Sequence, residues 1–222
     1  MTRFELSTPG SRLWTYLHHV WSDHAYLRLA FSNAHWISDE MVRTNQPWPF
    51  QLKAWRDRGV KTIVNLRGEQ ESDSHYVLER EACERLGLKL VTFTVTSREP
   101  PTAERVAGAK RLFETLEYPA LMHCKSGADR AGIMGVLYLH FRRGLPIGQA
   151  VEQLHPRYLH VKAGLTGVLD RVFELYLAQA EPKGISFLDW TQSPAYDPDR
   201  INREYRAKWW GTLLTERLLR RE

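Results

Sequence analysis

The chain has 222 residues, of which 43% are hydrophobic and 26% are charged, as is ordinary for a globular protein. Its formal net charge of +5 favours an anionic partner, but the excess is too small to choose among a phosphorylated substrate, a membrane and a nucleic acid. The apolar runs are too short to span a bilayer, and two cysteines, Cys83 and Cys124, exclude a disulfide framework or a cysteine-rich zinc site.

Helices and short strands alternate along the sequence. Residues 1–34 are predicted to form a helical N-terminal extension that contains no signal-peptide core, and "HWIS" (35–38) is predicted to be a first strand. The predicted elements that follow are helix 49–58, strand 60–66, helix 76–86, strand 88–95, helix 101–117, strand 120–124, a helix to residue 141, and helices 146–154 and 164–180.

This alternation predicts an α/β fold with a central, mainly parallel sheet flanked by helices. We expect three parts: the extension 1–34, a main domain 35–180, and a C-terminal extension 181–222. Ligands bind at the carboxyl ends of parallel strands, where Arg67, Arg98 and Cys124 are expected to converge.

The C-terminal extension ends in a predicted basic amphipathic helix. Its apolar stripe favours packing on the domain, while contact with a membrane surface or a partner stays open. The stripe consists of Trp209, Trp210, Leu213, Leu214 and Leu218.

The stretch "PALMHCKSGADRAGIMG" places a Cys-x5-Arg pattern where a strand passes into a helix. The loop amides and the helix dipole suit a phosphate-sized dianion there, and they favour the thiolate form of Cys124. Arg130, in the first turn, would bind two phosphate oxygens, and Gly127 would allow the tight turn. A thiolate beneath a phosphate is placed for in-line attack that gives a phosphocysteine.

The segment "HCKSGADRAG" resembles the HCxxGxxRxG loop of the cysteine-based phosphatases, the protein tyrosine and dual-specificity phosphatase superfamily. "RTNQPWPFQLKAWRDRGVKTIVNLRGE" is similar to the N-terminal half of compact bacterial and fungal dual-specificity-like members. The resemblance covers about residues 35–180 and implies a hydrolase of that fold without metal or organic cofactor. The presence of only two cysteines favours a reducing cytoplasm as its location. It implies Cys124 as nucleophile, Arg130 as phosphate clamp and His123 as the group that tunes the thiolate. The implied loop amides are those of Lys125, Ser126, Gly127, Ala128 and Asp129.

The general acid departs from the family pattern, since no Asp lies between Asp73 and Asp129. Glu99 in "TSREPP" is one candidate acid. Asp129 is the other, and it resembles the Asp of the CxxGxDR loop of myotubularin lipid phosphatases and of the CxxCxDR loop of Sac-type phosphoinositide phosphatases. It would protonate the leaving oxygen, or else cap the helix and orient the arginine. Ala131 stands where most relatives have Ser or Thr, so the phosphoenzyme would lack that hydroxyl during hydrolysis.

Lys125 adds a cation beside the reacting phosphate. With Asp129 it favours a phosphoinositide, phospholipid or inositol phosphate substrate over phosphotyrosine or phosphoserine proteins, and the aromatic, basic ends fit peripheral membrane contact. An RNA 5′-triphosphatase and a phosphate-binding module with low turnover are the alternatives. A nucleic-acid partner is not expected, because no RNP-type motif or dense basic tract is present. The residues that would extend the basic rim of the site are Arg67, Arg98, Arg157, His160 and Lys162.

Overall fold

A mainly parallel sheet is the centre of the fold in the computed structural model, which describes residues 4–219 and side chains as far as Trp209. Its strands are β1 (His35–Trp36), β2 (Met41–Asn45), β3 (Thr62–Asn65), β4 (Lys89–Thr92) and β5 (Ala120–Cys124). Their order is β1-β2-β5-β3-β4, and the neighbours pair in parallel except β1 with β2. The predicted α/β class and mainly parallel sheet are confirmed.

The helices mostly occupy the predicted segments. In the described part of the chain they are α1 (Pro9–Ser22), α2 (Leu27–Ala30), α3 (Pro49–Asp57), α4 (Ser74–Leu86), α5 (Ala103–Thr115), α6 (Asp129–Phe141), α7 (Ile147–Ala150), α8 (Val168–Gln179), α9 (Phe187–Gln192) and α10 (Pro198–Leu219). Short 3₁₀ turns lie at Val151–Gln153, Pro156–Tyr158, Leu165–Gly167 and Glu181–Lys183. Among these helices, none is both long and apolar enough to cross a membrane.

The chain divides into two compact units. The sheet unit contains residues up to Thr94 and Leu116–Ala131, and it holds the whole sheet with α1 to α4. The helical unit contains Val95–Thr115 and the residues from Gly132 onward. Cys124 therefore lies in the sheet unit, together with the N-terminal helices. The sequence-based boundaries at residues 34 and 180 stay predictions.

Strand β2 is an element that the sequence did not predict. "MVRTN" mixes apolar, charged and amide side chains, so it lacks the apolar run expected of a buried strand. All five residues are nevertheless buried, and the strand pairs with β5 from Met41↔Ala120 to Asn45↔Cys124. The polar side chains are tolerated here because they have hydrogen-bond partners: Arg43 donates to two carbonyl oxygens, Thr44 to Asn45 Oδ1, and Asn45 to Phe31 O.

The N-terminal extension is helical, as predicted, and packs within the sheet unit. Thr8 caps α1 by accepting a hydrogen bond from the Ser11 amide at 3.1 Å. His18 on α1 lies 2.9 Å from the hydroxyl of Ser74, the first residue of α4. The extension is therefore part of the surroundings of the sheet.

The C-terminal segment forms the predicted helix, α10. Within the helical unit, Tyr205 donates to the carbonyl oxygen of Gly164 at 2.9 Å, and Trp209 Nε1 donates to that of Ala163 at 3.0 Å. The rest of the predicted stripe lies outside the described side chains, namely Trp210, Leu213, Leu214 and Leu218.

Candidate active site

Cys124 is the last residue of β5, a strand flanked by parallel neighbours on both sides. Its residue partner on β2 is Asn45, and its neighbour His123 is paired with Asn65 on β3. Only 2% of Cys124 is exposed, and α6 begins five residues later at Asp129. The predicted junction of strand, loop and helix is thus present at the carboxyl edge of the sheet.

Arg43 on β2 is fully buried and fixes the direction of two loop peptides. Its Nη2 donates to the carbonyl oxygens of Gly127 at 2.7 Å and Ala128 at 2.8 Å. In a planar trans peptide the N–H points opposite to the C=O of the same unit. The N–H groups of Ala128 and Asp129 therefore point away from the guanidinium, and a buried cation lies on the opposite side of these peptides.

Two preceding loop carbonyls are also bound by surrounding residues. Ser126 O accepts a hydrogen bond from Asn33 Nδ2 at 3.0 Å, and Lys125 O accepts one from the Gln46 amide at 3.4 Å. The amides of Gly127 and Ser126 point away from these donors by the same peptide geometry. Within the described residues, the amides of Ser126, Gly127 and Ala128 have no hydrogen-bond acceptor. The loop therefore offers a run of donors for an anion.

Gly127 is required by both its conformation and its surroundings. Its φ is +74°, in the left-handed region that glycine adopts without strain. A Cβ at this position would lie 2.6 Å from the Asn45 nitrogen and 2.7 Å from the Thr44 carbonyl carbon. The loop is consequently in close contact with the backbone of β2.

His123 is held by a carboxylate that the sequence analysis missed. Its Nε2 lies 2.6 Å from Glu79 Oε1 on α4, without hydrogen-bond alignment, and neither side chain is more than 1% exposed. The other oxygen of Glu79 accepts a hydrogen bond from Asn65 Nδ2 at 2.9 Å. Among the charged residues of "LEREACER", Glu79 looks solvated. It nevertheless lies three and four residues before the buried Ala82 and Cys83. That helical spacing is the signal that could have placed it on the buried face.

Arg67 follows β3, as expected, but its guanidinium is bound by Asp23 from the N-terminal extension. Nη1 lies 3.0 Å from Asp23 Oδ2, Nη2 lies 2.7 Å from Oδ1, and Nη1 also donates to Gln46. Asp23 also contacts Arg28 Nη2 at 2.5 Å and Lys125 Nζ at 3.4 Å. Burial alone would raise the pKa of Asp23, but the hydrogen bond and charge of Arg67 hold it well below its usual range. Asp23 is therefore an ionised carboxylate among three cations.

Arg130 and Asp129 are the first two residues of α6, and both are half-buried. Within the described residues, Arg130 has no ion pair or side-chain hydrogen bond, in contrast to Arg67. Ala131, which follows, is fully buried.

The other predicted rim residues and Glu99 belong to the helical unit. His160 is buried and its Nε2 lies 2.7 Å from Asp170 Oδ2, while Lys162 Nζ lies 2.7 Å from Glu174 Oε1. A hydrogen bond from Lys162 to Glu174 raises the pKa of that lysine. Their contribution to substrate binding stays a prediction. The set comprises Arg98, Glu99, Arg157, His160 and Lys162.

A family model described as "DSP-PTPase phosphatase fused to NAD+ Kinase" matches residues 40–155, just over half of the chain. The chain belongs to this phosphatase family. The matched segment runs from the start of β2 past α6 and includes the whole Cys124 loop. The predicted membership of the cysteine-dependent, dual-specificity-like phosphatases is thereby confirmed.

Solved phosphatase structures share the fold of this phosphatase. Tk-PTP in its active form is 20% identical, and the match covers 64% of this chain and 96% of Tk-PTP with a TM-score of 0.51. TpbA of P. aeruginosa is 19% identical over 71% of this chain and 89% of its own, with a TM-score of 0.50. A Cys-to-Ser variant of TpbA in complex with pTyr matches with the same identity and TM-score, over 71% of this chain and 88% of its own. No curated protein matches the chain.

Proposed function

We propose that the phosphatase hydrolyses phosphate monoesters through a phosphocysteine formed on Cys124. The orientation of the loop peptides carries this proposal. Arg43, Asn33 and the Gln46 amide bind the carbonyl side of the loop, which leaves its amides directed away from them. Such amides at a helix N-terminus suit the equatorial oxygens of a phosphoryl group.

The proposed reaction has two displacements at phosphorus. In the first, Cys124 Sγ attacks in line, the ester P–O bond breaks, and Asp129 gives its proton to the leaving oxygen. Arg130 binds two phosphoryl oxygens in a bidentate manner during both steps. In the second, water attacks phosphorus and gives a proton to Asp129 while the P–S bond breaks, which releases inorganic phosphate and restores both the thiolate and the protonated acid.

Cys124→Ser tests this chemistry. Turnover of p-nitrophenyl phosphate should fall by roughly 10³-fold or more, because a serine hydroxyl is a far weaker nucleophile than a thiolate. Phosphate should still raise the melting temperature of the variant, since the loop amides remain. Cys83→Ala is the matched control, because Cys83 belongs to the apolar core, and it should retain turnover. Unchanged turnover by Cys124→Ser would contradict the proposal.

Asp129 is our proposed general acid, with Glu99 as the alternative. Asp129 lies in the same unit as Cys124 and directly precedes Arg130, which supports the assignment. Asp129→Asn should slow alkyl phosphates, whose leaving groups need a proton, more than p-nitrophenyl phosphate. An equal loss on both substrates would indicate a structural role, and a selective loss in Glu99→Gln would assign the acid to Glu99 instead.

We further propose that the substrate is a membrane lipid phosphate and that the enzyme binds membranes peripherally on the cytoplasmic side. Large apolar side chains are exposed on and after α1, and tryptophan and leucine on a helix suit the bilayer interface. With the net charge of +5, this surface suits anionic lipid. The exposed residues are Leu13, Trp14, Leu17, Trp21, Tyr26, Leu27, Leu29 and Phe31.

Lipid binding and substrate class are tested separately. Sedimentation with phosphatidylglycerol vesicles should recover the protein, and Trp14→Ser with Trp21→Ser should reduce that recovery. Phosphate release is then compared for phosphoinositides, phosphatidylglycerol phosphate, inositol phosphates, phosphotyrosine peptide and triphosphate-ended RNA. The pTyr complex of the TpbA variant supports phosphotyrosine as the second candidate. A clear preference for the peptide would replace the lipid assignment.

A further inference from the structure

Asp23 binds the two cations that lie next to the reactive loop. Arg67 and Lys125 each follow by two residues a pair of neighbours in the sheet, Asn65 and His123, so they emerge side by side from parallel strands. Both oxygens of Asp23 contact the guanidinium of Arg67, and Oδ1 is also 3.4 Å from Lys125 Nζ. A carboxylate of this chain thus occupies the space between the two cations.

The arrangement is the one that arginine makes with an anionic ligand. The guanidinium fork binds carboxylate and phosphate with the same pair of parallel hydrogen bonds. In this structure Asp23 and Gln46 use both hydrogens of Nη1 and one of Nη2, and the side chain of Arg67 is only 10% exposed. Asp23 is itself 8% exposed and is also bound by Arg28, so the anion is built into the fold.

We propose that Asp23 fills an anion subsite beside the reacting phosphate and thereby selects substrates that carry a single phosphate group. This inference rests on the proposed hydrolysis at Cys124. A second phosphate on the substrate would find the terminal edge of Arg67, formed by Nη1 and Nη2, already bound by Asp23 and Gln46, and only 10% of that side chain is exposed. It would also compete with Asp23 for Lys125 Nζ. A monophosphorylated substrate places nothing there. Among lipid phosphates, those with one monoester group are therefore preferred over bisphosphates.

The test compares two soluble short-chain phosphatidylinositols, a monophosphate and a vicinal bisphosphate. In Asp23→Asn the kcat/KM ratio of bisphosphate to monophosphate should rise about tenfold, because the variant opens the arginine fork to the second phosphate. Asp23→Glu keeps the charge and should retain the wild-type ratio. In the double variant Asp23→Asn with Arg67→Gln, the gain should disappear. A folded Asp23→Asn with an unchanged ratio would overturn the inference.

Lys125→Gln gives an answer that does not depend on the folding of the Asp23 variants. If Asp23 fills the subsite, this substitution should lower kcat/KM for both lipids by the same factor. A selective loss on the bisphosphate would show that the subsite accepts a second phosphate and would overturn the inference. Cys124→Ser distinguishes a failure of the proposed hydrolysis from a failure of the role of Asp23. Unchanged turnover in Cys124→Ser contradicts the hydrolysis at Cys124, whereas the expected loss there together with an unchanged ratio in Asp23→Asn contradicts only the role of Asp23.

Discussion

Two arginines of the sheet unit use their guanidinium groups in different ways. Arg43 is fully buried and donates to the loop carbonyl oxygens of Gly127 and Ala128, so it fixes the direction of peptides in the loop that contains Cys124. Arg67 is partly buried and binds the side chains of Asp23 and Gln46, so its hydrogen bonds are used outside that loop. Two cations near one cysteine can therefore serve different purposes, and the acceptors that each one binds decide which.

Removal of Arg43 should have the largest effect on both stability and catalysis. Arg43→Met leaves the buried carbonyl oxygens of Gly127 and Ala128 without this donor, so we expect the free energy of unfolding to fall by about 3–5 kcal/mol. Urea unfolding and p-nitrophenyl phosphate turnover measure the two effects.

Arg56→Met is the matched control for Arg43. Arg56 forms an exposed ion pair with Asp57, and removal of this pair should lower the free energy of unfolding by less than about 1 kcal/mol. If Arg43→Met unfolds no more easily than this control, the loop does not depend on the buried arginine.

Gly127→Ala should rank second, because it affects the loop geometry without changing a charge. We expect the free energy of unfolding to fall by about 2–4 kcal/mol, because alanine is strained in the left-handed conformation and its Cβ would clash with the β2 backbone. Gly59→Ala is the control. Gly59 has a φ of +90°, but no atom lies within 4 Å of the position of an added Cβ, so this variant measures the cost of the left-handed conformation alone. Equal destabilisation in the two variants would show that the close approach to β2 is unimportant.

Acid should destabilise the side of the site that contains Arg67. Burial and then the charge of Arg28 lower the pKa of His19 to about 4, and burial and then Arg67 lower that of His75 to about 3. In the unfolded chain both imidazole rings bind protons with a pKa near 6.5. The contribution of the two histidines to the free energy of unfolding is therefore complete above that pH, and it is lost as the pH falls toward their pKa values in the folded protein.

The expected loss from both histidines between pH 7 and pH 5.5 is roughly 2–3 kcal/mol in unfolding free energy. His19→Gln with His75→Gln should flatten the profile measured by urea unfolding, and the same substitution at exposed His24 is the control. A profile as steep in the double variant as in the wild type would assign the acid sensitivity to other groups.

Asn33→Ala should have the smallest effect of this series. It removes the hydrogen bonds of Asn33 with Ser126 O and with His35 Nε2, each worth about 1 kcal/mol, and it allows the peptide of Ser126 to rotate. The KM for p-nitrophenyl phosphate should rise severalfold, while the exposed neighbour Ser32→Ala should behave as wild type. A normal KM in Asn33→Ala would leave Arg43 as the main determinant of amide orientation.

The junction of strand, loop and helix around Cys124 was predictable because its parts are adjacent in the sequence. Cys124, Gly127 and Arg130 lie within seven residues, and a buried strand and an apolar helix flank them. Local spacing is enough to predict such a junction, and the sheet around it follows from the alternation of helices and strands.

The support of the loop was not predictable, since it depends on pairs far apart in the sequence. Arg43 lies in a strand without an apolar pattern, Glu79 lies in a charged helix, and Asp23 lies in a segment that we treated as an extension. Each is polar and buried because of partners that are distant in the sequence, which include Gly127 for Arg43, His123 for Glu79 and Arg67 for Asp23. Composition and periodicity report average exposure, so they cannot identify such individual pairs.

The hydrogen bonds from Arg43 span 84 and 85 residues to Gly127 and Ala128. A shortened protein that starts after β2 would keep every letter of "HCKSGADRAG" but lose the donor that turns its peptides. Recognition of this motif in a fragment would therefore overstate what the fragment can do. The proposed phosphate site is a pairing of β2 with the loop, and its boundaries are wider than those of the motif.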